Sequence, residues 1–178
     1  MLRRPERLEQ FRENPRVTLL AGDLTKPADV VKATKGADLI WSAVVDHDQT
    51  NRPTKNIIAA AKLNGVERVV ETSLLGLYNE VPGEFGDWNR DYCFNGDPTG
   101  TTAVLADQLL AESGLTYTTL RLPWLNDRPE VNYTLTHRHD QFVGVSGSRR
   151  SIADPSLGAN DSLGIGDPTT EGATRPVY

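Results

Sequence analysis

The sequence predicts an α/β protein with a doubly wound, mostly parallel sheet covered by helices. Two observations carry that prediction. Short apolar or β-branched runs alternate with helical patterns in three successive units: Val17–Ala21 with Pro27–Lys35, Ala37–Val45 with Asn51–Asn64, and Arg68–Thr72 followed by Thr101–Ser113. The helical stretches also tend to close on glycine, at Gly36, Gly65 and Gly114. Alternation of this kind favours strands that lie side by side with their crossovers packed on the sheet faces.

Taken in order, the first expected element is a helix over about Pro5–Glu13, with proline in its first turn and Leu8 and Phe11 on its buried side. Asn14-Pro15 ends it, because the residue before proline avoids the helical region. Val17–Ala21 reads as a buried strand that stops at Gly22-Asp23, and Thr25 with Pro27 opens the next helix. Ala37–Val45 is the most hydrophobic stretch and suits a central strand. The helix Asn51–Asn64 carries Ile57, Ile58, Ala60 and Ala61 on its packing face, and Arg68–Thr72 follows as a strand. Between Ser73 and Gly100 the periodicity dissolves into a glycine- and aromatic-rich connection, long enough to cover a site. Thr101–Ser113 then repeats a Leu105/Leu109 spacing, and Tyr117–Leu122 alternates as a strand. Arg121, a charge within that strand, is expected to pair internally. A further strand is expected at Gln141–Val145 and a short helical start at Ser148–Ala153. Residues 155–178 are rich in Gly, Pro, Ser, Thr and Asp, and are expected to be an irregular tail beyond a domain spanning 1–154.

Composition bounds the function. With 178 residues, 38% hydrophobic, 24% charged and a net charge of −5, the chain can bury one core and lacks the cationic footprint of a non-specific nucleic-acid binder. The basic cluster Arg3-Arg4 with Arg7 is large enough for a single phosphate. A lone Cys93 rules out an intrachain disulfide, and no apolar run approaches membrane-spanning length. These features fit a cytoplasmic protein with neither nucleic-acid nor membrane partners. The segments Asp46-His47-Asp48 and His137-Arg138-His139-Asp140 offer metal-ligand chemistry, but neither supplies the three or four converging ligands a site requires, so no metal is expected.

Six segments together resemble the atypical short-chain dehydrogenase/reductase superfamily, in its NmrA-like or NAD(P)H-binding branch. They are Arg3-Arg4-Pro5-Glu6-Arg7, Ala21-Gly22-Asp23-Leu24-Thr25, Gly36–Ile40, Gly65–Ser73, Ser113–Pro123 and Ser148–Asp154, and their order and spacing agree over roughly residues 1–154. The resemblance implies a Rossmann-like fold that binds NADP, or alternatively NAD, across the carboxyl ends of its strands. By residue, it implies that Arg3 or Arg4 contacts the adenosine 2′-phosphate and that Asp23 accepts from the adenine amine. It also implies that Ser42-Ala43-Val44 pass the nicotinamide ribose, that Ser73 hydrogen-bonds a substrate carbonyl, and that Pro123 and Trp124 line the nicotinamide and substrate side. Each has a plainer alternative: a solvated cation for the arginines, an Asx turn for Asp23, a turn former for Ser73 and a core role for Trp124.

Two departures from the family pattern stand out. The tyrosine and the lysine four residues later that form its usual proton relay would fall near Thr99–Ala103, and no lysine follows Lys62. The GxxGxxG turn that presents backbone N–H groups to a pyrophosphate is also absent from the sequence. The expectation is therefore an N-terminally truncated member whose 178 residues hold the dinucleotide weakly. Its function is expected to be an oxidoreductase acting on a small carbonyl-like substrate, with two alternatives: a non-catalytic NADP(H) sensor that signals to a regulatory protein partner, or a fragment too incomplete to bind the cofactor.

Overall fold

The computed structural model describes residues 1–154 and 161–170. Its centre is a five-stranded sheet built from β1 (Leu39–Ser42), β2 (Arg68–Leu74), β3 (Thr116–Leu122), β5 (Thr134–Thr136) and β7 (Asp161–Gly166), in the order β1-β2-β3-β7-β5. The first four of these run parallel, and β5 joins β7 antiparallel. Two further short strands, β4 (Trp124–Asn126) and β6 (Ser146–Ser148), pair with each other beside the main sheet. The helices are α1 (Pro27–Thr34), α2 (Arg52–Asn64), α3 (Gly83–Phe94), α4 (Thr102–Ala111) and the single turn α5 (Arg149–Ile152). This is the mostly parallel α/β architecture expected.

Alternation along the strands divides the core in two. Ile40 and Val69 face α1, α2 and α4, where Val30, Ile57, Ala60, Ala61 and Leu110 pack on them with Tyr117. Their chain neighbours point the other way: Val70, Leu120, Leu163 and Ile165 form a second cluster closed by Ile152. Each connection ends where backbone chemistry allows. Gly65 caps α2 in the left-handed region at φ 69°, and the Thr101 hydroxyl caps α4 by accepting from the Val104 N–H.

Several expectations are corrected by the tertiary structure. Val17–Ala21 is not a strand. A strand persists only beside a neighbour that takes its N–H and C=O groups, and this run has a single bridge, in which Leu2 N–H donates to Leu20 O at 2.9 Å and Gly22 N–H to Leu2 O at 3.2 Å. The segment Pro5–Phe11 is a 3-10 turn broken at Leu8, and Leu8 and Phe11 are exposed among the described residues. The connection after Ser73 contains a full helix, α3, whose buried face is Phe85, Gly86, Asn89 and Phe94. The packing face of α4 is Ala103, Val104, Asp107 and Leu110, leaving Leu105 exposed. The strand expected at Gln141–Val145 forms instead at β6, just beyond it. The largest correction concerns the tail. Residues 161–166 form β7, inserted between β3 and β5, with Leu163 and Ile165 in the core. Its glycines hid it: Gly164 and Gly166 are there because a Cβ would lie 2.5 Å from the Thr136 hydroxyl or 2.1 Å from the Val143 carbonyl. The rest of that tail, residues 155–160 and 171–178, lies outside the described residues.

Candidate functional site

The segment beyond the carboxyl end of β1, the turn at residues 22–25 and the N-terminal residues supply the candidate site. Beyond β1, Asp46 and Asp48 organise the turn into α2. Asp46 Oδ1 accepts from the Asp48 N–H at 2.9 Å, and the Asp48 carboxylate then accepts from the Thr50 hydroxyl at 2.7 Å and the Arg52 Nε at 2.8 Å. Its bonds to Arg52, first, and to Thr50 hold the Asp48 carboxyl well below the usual carboxylate range. On the neighbouring side Asp23 forms an Asx turn, its Oδ1 accepting from the Thr25 N–H at 2.9 Å and hydroxyl at 2.8 Å. Those two bonds, with the nearby charges of Arg3 and Lys26, keep Asp23 ionised to lower pH than usual.

These two turns and the N-terminal residues enclose a cavity of about 630 Å³. Arg3, Arg4 and Arg7 line it together with Asp23 and Asp48, and Val44, His47 and Pro53 are part of the same wall. The volume falls within the roughly 300–1,000 Å³ typical of small-molecule sites. Three guanidinium groups beside two carboxylates suit a ligand with both phosphate and hydrogen-bond-donating parts.

The structure therefore brings Arg3, Arg4, Asp23 and Val44 to one cavity and leaves the other expected residues outside its wall. Ser42 is buried at the end of β1, its hydroxyl directed to the Val44 carbonyl at 3.5 Å, and Ala43 is exposed beside it. Ser73 is buried near the end of β2, in register with Arg121. Pro123 is buried and Trp124 begins β4, where its ring packs with Trp88 at 5.1 Å and Tyr92 at 5.6 Å between centroids. Among the described residues no group of three or more His, Cys, Asp and Glu side chains is placed to hold a metal ion, and no helix is long and apolar enough to cross a membrane. In the two segments flagged for metal chemistry, His137 pairs with Asp161 and Asp46 with Thr54.

The family model described as NAD(P)H-binding matches residues 1–159. The chain belongs to the NAD(P)H-binding family. Solved structures agree. A short-chain dehydrogenase/reductase from Veillonella parvula, in complex with NADP, is 26% identical with a TM-score of 0.79, over 95% of this chain and 80% of that one. A Rossmann-fold NAD(P)-binding family protein from Shigella flexneri is also 26% identical, with a TM-score of 0.72, over 99% of this chain and 83% of the other.

Sequence reasoning missed two features. Thr25, His47, Asp48 and Pro53 join the cavity only because two turns distant in sequence meet. A buried polar row also crosses the sheet in register, from Ser42 through Glu71 and Thr119 to Ser162, under α2 and α4. Glu71 was visible as a carboxylate inside an apolar strand run, and that oddity was the one available signal.

Proposed function

We propose that this chain binds NADP(H) with the adenosine end in the Arg3–Arg4–Asp23 cavity and acts as an oxidoreductase on a small carbonyl-like substrate. The observation that carries the reading is the convergence of Arg3, Arg4 and Asp23 on one cavity in a member of an NAD(P)H-binding family. Guanidinium forks bind phosphate oxygens bidentately, so Arg3 and Arg4 hold the 2′-phosphate and Arg7 adds a third cation. Asp23, kept ionised, accepts from the exocyclic amine of adenine. Ser42, Ala43 and Val44 let the backbone approach the ribose.

NADPH supplies a hydride when bound. Within this reading Ser73 donates a hydrogen bond to the substrate carbonyl and stabilises the charge that grows on its oxygen. Pro123 and Trp124 flank the substrate. A second reading, an NADP(H) sensor acting through a protein partner, draws support from the lack of any lysine after Lys62 for the usual relay.

The deciding experiment pairs calorimetric titration of NADP and NAD with an assay of NADPH oxidation against a panel of small aldehydes, ketones and quinones. The oxidoreductase reading expects NADP to bind in preference to NAD and at least one carbonyl to be turned over. Preferential NADP binding without turnover across the panel would favour the sensor. Indifference between NADP and NAD would remove the arginine assignment.

A further inference from the structure

Thr54, near the start of α2, makes two contacts that cannot both be ordinary. Its hydroxyl lies 2.7 Å from Asp46 Oδ2 and 3.0 Å from Glu71 Oε1. A hydroxyl has one hydrogen to donate, and an ionised carboxylate only accepts. One of the two carboxyl groups therefore carries a proton and donates to the Thr54 oxygen.

The surroundings say which one. Asp46 is met by donors on both oxygens, Oδ1 by the Asp48 N–H at 2.9 Å and Oδ2 by the Thr54 N–H at 3.1 Å. Glu71 is 3% exposed, and its Oε2 has no hydrogen-bond partner among the described residues. Such an environment favours the neutral acid. The proton sits on Glu71, which donates to Thr54, which donates in turn to Asp46.

The groups around Glu71 agree. Asp46 faces it from the turn after β1 and Asp107 from α4, and both push its carboxyl upward. α2 contributes the neutral Thr54, and the register neighbours on β1 and β3 are the neutral Ser42 and Thr119. No cation acts on Glu71 among the described residues, Arg121 pairing with Glu80 and Arg138 with Asp107. Burial, first, pushes the Glu71 carboxyl up to about 8; the Thr54 hydrogen bond pulls it down, and Asp46 and Asp107 each add a lesser upward push.

We propose that Glu71 is a positioning residue for the cofactor cavity: by donating through Thr54 it lets Asp46 act as the acceptor that folds residues 46–54 into the cavity wall. His47, Asp48 and Pro53 of that segment line the cavity. When Glu71 loses its proton, two anions compete for one Thr54 hydrogen and the turn loosens. The proposal deepens the NADP(H) reading and rests on it for the ligand.

The test is a pH titration of the 178-residue chain by NMR, following the Glu71 carboxyl carbon with the Asp48 and Thr54 amides, alongside NADP affinity over the same range. The expected result is a common inflection near pH 8 in all three signals and a several-fold loss of NADP affinity across it. Glu71→Gln keeps a donor toward Thr54 that does not titrate, so its amides and its affinity should stay flat. A Glu71 carbon that titrates in the ordinary carboxylate range, or an NADP affinity unchanged through its inflection, would overturn the proposal. Failure to bind NADP at any pH would instead sink the cofactor assignment, while the carbon and amide signals still decide where the proton sits.

Discussion

Arg121 and Glu80, 41 residues apart, meet as an ion pair in which both side chains are almost wholly buried. Its Nη2 group reaches the carbonyls of Thr136 at 3.3 Å, His137 at 2.8 Å and Ser162 at 3.1 Å, while Nε meets no partner among the described residues. Glu80 in turn accepts from the Gly76 N–H at 3.0 Å and the Tyr78 N–H at 2.9 Å. One guanidinium thus ties β3 to β7, to the segment after β5 and to the connection before α3. Removing one partner of a buried pair strands the other charge at a cost of about 3–5 kcal/mol. Arg121→Met should lose stability of that order in chemical denaturation, and Arg121→Met/Glu80→Met should recover part of it. A single variant within about 1 kcal/mol of wild type would show that the pair is not what holds this region.

The stability of the chain should depend on pH through Glu71. Its carboxyl is raised from 4.5 in the unfolded chain to about 8 in the native one. Between those values the native state binds the extra proton, so stability is fully present below 4.5 and declines as pH rises through 8. The slope is at most about 1.4 kcal/mol per pH unit. Glu71→Gln lacks this slope, so the difference in denaturation midpoint between variant and wild type should grow with pH over that window. A constant difference would contradict the assignment.

Arg3→Ala should weaken NADP far more than NAD. A charge-assisted hydrogen bond is worth roughly 1.5–3 kcal/mol, about a tenfold loss or more in affinity. Titration of both dinucleotides checks this, and equal losses would place the 2′-phosphate elsewhere.

Gly144 stands at φ +96°, and a Cβ there would lie 2.5 Å from the Asp167 carbonyl oxygen. Asp167 is itself anchored, donating its N–H to Ser146 O at 2.8 Å. Gly144→Ala therefore combines backbone strain with a clash against fixed main chain, and should cost more than about 2 kcal/mol in thermal or chemical denaturation. The same substitution at Gly65, where the added Cβ meets nothing within 4 Å, should cost less because only the φ of 69° opposes it.

Ser73→Ala addresses the proposed chemistry. Loss of a hydrogen bond to a developing oxyanion lowers kcat by about 100-fold or more while leaving NADP affinity in place. Steady-state kinetics on any carbonyl found to turn over makes the check, and an unchanged kcat would return Ser73 to a purely structural role.

The helices α1, α2 and α4 and the strands β2 and β3 were legible in the amino acids because periodicity, proline starts and glycine stops are local properties; β1 was legible as a strand, but it ends the sheet order among the described residues, where a central place was expected. So was the internal pairing of Arg121, since a charge in a buried strand has to find a partner. The grouping of Arg3, Arg4 and Asp23 rested on resemblance, and the folded chain gathers them at one cavity. Only the tertiary structure decided that Val17–Ala21 is no strand, that 161–166 is one, and that the Thr54 hydroxyl lies between the carboxyl groups of Asp46 and Glu71. Each of those depends on which backbone or side chain arrives alongside: a run of valine and leucine needs a neighbour to become a strand, a glycine-rich segment can be claimed by a sheet with room for nothing larger, and a hydroxyl placed between two carboxyl groups determines their charge.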